Sequence, residues 1–213
     1  MTKNLIFDFD GTLVDTCEGI VHTEMETFRR LGLPAPPRED IVGAIGLPLE
    51  LSLEKGGGLD RQTAVRAAAI YRSLFNEVAA PHITMFPGVY ETLESLRGRG
   101  LRMAIATSRG TDSLGGLLDA FNLRQFFELI LTAGSGCAPK PSPEMVLRIL
   151  GTLHFDPSET IVVGDTTFDL QMGQGAACRV CGVSYGNHSR ERLASVGPDY
   201  IIDAFPELSG IVA

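Results

Sequence analysis

Four cysteines in 213 residues, Cys17, Cys137, Cys178 and Cys181, are too few and too scattered for a disulfide framework. Cys178 and Cys181 stand in a C-x-x-C spacing, but no second pair accompanies them to complete a zinc site. They lie in a short apolar run and are expected as reduced core residues. Long apolar runs are also missing. Nothing reaches the roughly 20 continuous residues of a membrane helix, and no membrane span is expected. The apolar run within residues 1–7 is too short for a signal peptide and turns acidic at Asp8, so a cytoplasmic protein is expected. Basic runs are absent too. The chain has 18 Lys plus Arg against 26 Asp plus Glu, a net charge of -8, which excludes a phosphate-tracking surface for nucleic acid. An acidic chain can still bind one phosphate locally, given a metal ion and a lysine. Internal repeats and low-complexity tracts are lacking, which leaves an ordinary globular chain of one domain, or one domain with an insertion.

What is present is alternation. Short runs rich in apolar or β-branched residues occur at 5–9, 103–107, 129–132, 160–164 and 179–183, apolar on both faces. That pattern predicts strands of a covered parallel sheet. Helical patterns lie between them at 89–99, 112–121, 143–153 and 168–175, with Pro143 at a first turn and Gly100 as a C-terminal cap. The expected fold is α/β, a doubly wound parallel sheet. Residues 16–82 break the rhythm. Helical patterns appear there at 17–31 and 61–80, separated by a stretch broken by Pro34, Pro36, Pro37, Pro48 and Gly56 to Gly58. The division expected is a core of residues 1–15 and 83–213, with a small helical domain of residues 16–82 inserted over it.

The insertion follows directly on Asp8, Asp10, Gly11 and Asp15. Strand alternation points Asp8 and Asp10 the same way, toward the C-terminal sheet edge where open α/β sheets bind ligands. Two carboxylates held so close need a cation or a shared proton. Alone, the stretch reads equally well as a strand end with an acidic turn. Asp165 and Asp169, one helical turn apart after residues 160–164, add a second pair. Four carboxylates at strand ends of one sheet call for a bound cation, and oxygen-only ligands favour magnesium over zinc. Lys140 follows the third strand between stiffening prolines, Pro139 and Pro141. Thr107 and Ser108 end the second strand, where hydroxyls and backbone N–H groups can cradle a phosphate or simply cap a helix.

An aspartate pair, a hydroxyl, a lysine and a second aspartate pair, in that order at strand ends, resemble the haloacid dehalogenase superfamily. The likeness spans the whole chain and is nearest to its phosphatase branch, phosphoglycolate phosphatase-like members with an α-helical cap. The resemblance implies Asp8 as nucleophile and Asp10 as general acid and base, with Thr107 and Lys140 on the transferring phosphoryl group and Ser108 near it. It further implies Mg2+ held by Asp8, the backbone carbonyl of Asp10 and Asp165, with Asp169 acting through water or by orienting Asp165. The implied reaction is hydrolysis of a small phosphorylated metabolite by a monomer or weak homodimer. Pyrophosphatase, nucleotidase and sugar phosphomutase chemistry on the same core are the alternatives. Residues 42–48 resemble a cap loop that approaches the substrate in relatives. His22, Lys55 and Arg72 are weaker cap candidates, and Phe121, Phe126 and Phe127 are expected in the core.

Overall fold

A computed structural model describes residues 2–212. The first apolar run forms β1 (Asn4–Phe7), which is buried throughout. The chain then passes through β2 (Val14–Asp15) into four helices, α1 (Cys17–Leu31), α2 (Arg38–Ala44), α3 (Leu49–Lys55) and α4 (Arg61–Ala79), and returns through β3 (Thr84–Met85). Thereafter helices and strands alternate: α5 (Val89–Gly98), β4 (Arg102–Ala106), α6 (Thr111–Ala120), β5 (Leu129–Leu131), α7 (Glu144–Leu153), β6 (Thr160–Gly164), α8 (Thr167–Gly175), β7 (Arg179–Val183), α9 (Arg190–Ala194), β8 (Tyr200–Ile202) and α10 (Leu208–Ile211).

Six strands form one parallel sheet in the order β5-β4-β1-β6-β7-β8. The doubly wound reading is thus correct, with β8 as a sixth strand beyond the five expected. The chain winds from β1 to β4 and β5 on one side, then crosses to β6, β7 and β8 on the other. The switch point therefore lies at β1, where an open α/β sheet has its ligand crevice. Apolar residues on one face of the sheet, among them Leu5, Phe7, Met103 and Ile105, pack with Val89, Leu93 and Leu96 of α5. Those on the other, among them Ile6, Ala104 and Val162, pack with Val146 and Ile149 of α7 and Leu170 and Met172 of α8. Phe121, Phe126 and Phe127 join the first of these layers. Cys178 and Cys181 are free and buried, their thiols pushed up to about 12 by burial, as core cysteines should be.

Boundaries depart from the sequence reading in two places, at Pro143 and in the proline-broken part of the insertion. Pro143 immediately precedes α7 and its carbonyl accepts from Leu147 N–H, so the proline stands one position before the helix. Gly100 does follow α5 in the left-handed conformation, at φ +84°. The proline-broken part of the insertion is helical: Pro37 and Pro48 stand immediately before α2 and α3. A proline lacks the N–H that a first turn leaves unpaired, so it begins a helix as readily as it ends one. Within the insertion, Phe28 of α1 packs on Leu53 of α3 and on Ala64, Ala67 and Ala68 of α4.

Candidate active site

The sheet edge collects the acidic residues from three adjacent elements. Asp8 directly follows β1, Asp165 directly follows β6, and Asp169 stands in the first turn of α8. All three are buried, and one carboxylate oxygen from each lies within 4.8 Å of the others. Gly11, at φ +75°, makes the approach possible, since a Cβ there would lie 2.1 Å from Asp165 Oδ2.

Each carboxylate is oriented differently. Asp165 accepts from Thr12 Oγ1 at 3.2 Å, from Asn187 N–H at 2.8 Å and from Asn187 Nδ2 at 2.7 Å. Asp169 accepts from Thr166 through Oγ1 at 2.6 Å and N–H at 3.0 Å, closing a capping box at the start of α8. Lys140, 1% exposed, places Nζ 2.6 Å from Asp169 Oδ1 and 2.8 Å from Asp8 Oδ1. The Pro139–Ser142 turn that presents it closes with Ser142 N–H on the carbonyl of Pro139. The contact with Asp8 is an ion pair without hydrogen-bond alignment, and Asp8 Oδ1 has no hydrogen-bond donor.

One ammonium thus faces two of the three buried carboxylates, Asp8 and Asp169. Burial pushes Asp8 up to about 7, against the pull of Lys140 and with repulsion from Asp169 and Asp10 adding to it. Burial and the charges of Asp169 and Asp8 likewise raise Asp165 well above the ordinary carboxylate range. Burial alone would lower Lys140, but Asp169 and Asp8 outweigh it and hold the amine above its usual value. A group of buried carboxylate oxygens that outnumbers the one ammonium beside it fits a hard divalent cation.

Asp10 stands apart from this triad. Its carboxylate is gripped by Arg109, with Nη2 at 2.6 Å from Oδ1 and Nε at 2.9 Å from Oδ2, and it accepts from Thr16 Oγ1 at 2.7 Å. Arg109 also stacks over the Phe75 ring of α4, 4.6 Å from its centroid. Arg109 stood unassigned beside Thr107 and Ser108 in the sequence. Its role needed two facts invisible there: β4 is hydrogen-bonded next to β1, and α4 folds back over both. Thr12, Thr16 and Asn187 escaped notice for similar reasons, since each acts on a partner distant in the chain or across a turn.

A cavity of about 510 Å³ opens over the sheet edge, lined by Asp8, Asp10, Thr107, Ser108 and Arg109 from below. Thr107 Oγ1 accepts from Arg109 N–H at 3.1 Å, which leaves its own hydrogen free to donate. Ser108 donates instead to the carbonyl of Gly46 at 2.6 Å, tying the loop after α2 to the core. Ile45, Gly46 and Leu47 line the cavity, so the loop singled out at residues 42–48 reaches it. From above come Ile20 and Glu24 of α1 and Tyr71, Arg72, Phe75 and Asn76 of α4. Arg72 is engaged with Glu50 at 2.6 Å. His22 lies outside this cavity, half exposed and stacked on His82 with ring centroids 4.4 Å apart, and Lys55 is solvent-exposed. No helix among the described residues is long and apolar enough to cross a membrane.

Comparison with known proteins agrees with this geometry. The family described as haloacid dehalogenase-like hydrolase matches residues 5–183. A protein of Dickeya dadantii named "Probable phosphatase IndB" is 40% identical over 214 residues, covering 99% of this chain and 93% of that protein. Pyrophosphatase PpaX of Bacillus velezensis is 31% identical, over 96% of this chain and 93% of its own. A crystal structure described as a predicted phosphoglycolate phosphatase from Haemophilus somnus 129pt superposes with a TM-score of 0.92, covering 100% of this chain and 98% of that one. At 24% identity it speaks to the fold alone.

Proposed function

Because this chain belongs to the haloacid dehalogenase-like hydrolase family, we propose that it is a magnesium-dependent phosphomonoesterase working through an aspartyl phosphate on Asp8. The observation that carries this reading is Asp8 itself: buried at the end of β1, on the floor of the cavity, and ion-paired through Oδ1 with Lys140. Burial holds this carboxyl partly protonated, and the ammonium beside it, joined by a divalent cation, would favour the carboxylate that attacks phosphorus.

In the first half-reaction the Asp8 oxygen attacks phosphorus and the bond from phosphorus to the leaving oxygen breaks. Asp10, on the same cavity floor, gives its proton to that oxygen. In the second half Asp10 takes a proton from water, the water oxygen attacks phosphorus, and the bond to Asp8 breaks to release phosphate. Lys140 offsets charge at Asp8 and Asp169, and the Thr107 hydroxyl donates to a phosphoryl oxygen. The Arg109 fork fixes the direction in which Asp10 presents its carboxyl group. Magnesium held by Asp8 and Asp165, with Asp169 in support, would neutralise the acidic cluster and polarise the phosphoryl oxygens. Residues 16–82 serve as the cap, excluding bulk water while the first bond breaks.

Removal of divalent ions by a chelator, followed by dialysis, should abolish release of phosphate from p-nitrophenyl phosphate. Magnesium should restore it better than calcium, whose looser coordination misplaces the nucleophile. Full activity after metal removal sinks the proposal, and with a hexose phosphate as substrate, formation of an isomeric ester without free phosphate would make the protein a mutase.

A further inference from the structure

Glu24, on the inner face of α1, is 1% exposed, and neither carboxylate oxygen has a hydrogen-bond partner. It joins no ion pair among the described residues, and the cavity's two arginines are committed elsewhere, Arg109 to Asp10 and Arg72 to Glu50. A buried carboxylate without partners is costly, and a leucine would fill the same helix face more cheaply. Glu24 lines the same cavity as Asp8 and Asp10, opposite them on the cap, and shares that wall with Tyr71 and Phe75. The cavity, at about 510 Å³, is far roomier than a two-carbon or second-phosphoryl leaving group needs, and lies in the range that encloses larger metabolites.

We propose that Glu24 accepts hydrogen bonds from a hydroxyl-rich, uncharged leaving group, the sugar or nucleoside part of a phosphomonoester, and that it turns away substrates whose leaving group is itself an anion. The inference rests on the phosphomonoesterase reading and names the substrate class of that site. A turn of the Glu24 side chain toward the cavity would let hydroxyl donors satisfy its two oxygens, which are shielded as the structure stands, while the Tyr71 and Phe75 rings offer apolar surface to the face of a sugar or base. A carboxylate or second phosphate at the same place would meet the ionised form of Glu24, whose burial shields it from water, so that like charges repel. Burial pushes the Glu24 carboxyl up to about 7. Both protonation forms are therefore populated near neutrality, and a hydroxyl pairs with either, whereas an ammonium suits only the ionised one.

The test compares kcat/KM of the full-length protein, loaded with magnesium, for ribose 5-phosphate and a nucleoside 5′-monophosphate against phosphoglycolate, pyrophosphate and phosphoethanolamine. p-Nitrophenyl phosphate serves as the reference. One or both hydroxyl-bearing esters should lead, and which leads tells sugar from nucleoside. In Glu24→Leu the ratio of the leading ester to the reference should fall by about tenfold to a hundredfold, and Glu24→Gln, which keeps an acceptor oxygen, should recover most of it. A lead for any anionic or ammonium-bearing substrate overturns the proposal, as does an unchanged ratio in Glu24→Leu. Should wild type hydrolyse none of these, the reference included, the phosphatase reading fails and binding decides the role of Glu24. A rise in Tm with ribose 5-phosphate or the nucleoside monophosphate that disappears in Glu24→Leu supports it, and equal rises or none overturn it.

Discussion

The floor and the roof of the cavity treat buried charge in opposite ways. On the floor, Asp165 is held by Thr12 and Asn187, Asp169 by Thr166 and Lys140, and Asp10 by Arg109 and Thr16. On the roof, Glu24 is buried as deeply and held by nothing. Groups that must meet a reacting phosphorus at one fixed geometry gain from being locked in advance. A group that recognises a variable leaving group gains from having its partner missing until the substrate arrives. On the proposed reading, strand ends supply the chemistry and the helices of residues 16–82 the selection.

Substitutions at four residues sharpen or break that contrast, in falling order of effect. Asp8→Asn should remove turnover altogether and yield no acid-stable, quench-trapped phosphoenzyme from p-nitrophenyl phosphate. Phosphoenzyme equal to wild type in that variant would place the nucleophile elsewhere. Asp10→Asn should slow an alkyl phosphate by about a hundredfold to ten-thousandfold. With nitrophenolate, which needs little protonation to leave, it should still phosphorylate Asp8 and then stall, and rapid-quench kinetics would reveal the accumulated intermediate.

Lys140→Met removes the one ammonium among the buried carboxylates and should cost about 3–5 kcal/mol in urea unfolding without metal, besides most of the activity. Magnesium should return part of that stability, because it answers the same charges; a variant as stable as wild type in chelator would mean the cluster is protonated and needs no counter-charge. Arg109 bridges the two surfaces, gripping Asp10 below and stacking on Phe75 above. Arg109→Met should therefore lower kcat/KM by about tenfold to a hundredfold through misdirected proton transfer. Arg109→Lys should not rescue it, since an ammonium cannot reproduce the two-pronged grip. Full activity in Arg109→Lys would reduce the residue to a simple charge.

The roof predicts a pH effect on stability. Folding raises the Glu24 carboxyl from 4.5 to about 7, so between those values the folded state binds more protons than the unfolded one. Stability must therefore fall as pH rises through that window, by roughly 3 kcal/mol at most from this residue. Glu24→Gln should flatten that part of the wild-type pH profile, measured as the difference between the two proteins in denaturant titrations. Parallel profiles would show that Glu24 acquires a partner in solution.

The same division decides what could be read from sequence. Asp8, Asp10, Thr107, Asp165 and Asp169 sit within a few residues of strand ends, where the sheet fixes their position, so short motifs locate them. Lys140 by itself reads as a solvated surface lysine, and only its order along the chain between the two aspartate pairs singles it out. Arg109 lay in the open beside Thr107, yet nothing local distinguishes a clamp on Asp10 from an exposed helix-start arginine. Glu24 was harder still. In sequence it is one of several acidic residues on an amphipathic helix, and only the packing of α1 against α4 over the sheet edge makes it buried. Helices α2 and α3 were missed because prolines and glycines were weighed as breakers, whereas each helix begins directly after one.

β2 and β3 pair antiparallel, Val14 with Met85 and Asp15 with Thr84, and Phe86 N–H adds a bond to the carbonyl of Leu13. The insertion thus leaves and re-enters the core through two strands lying side by side, at the usual spacing of about 5 Å between hydrogen-bonded neighbours. Such a doorway works as a socket. Any folded segment whose ends lie that close can be grafted there without disturbing the sheet beneath. A longer or shorter segment between β2 and β3 would leave the register of the six-stranded sheet below unchanged.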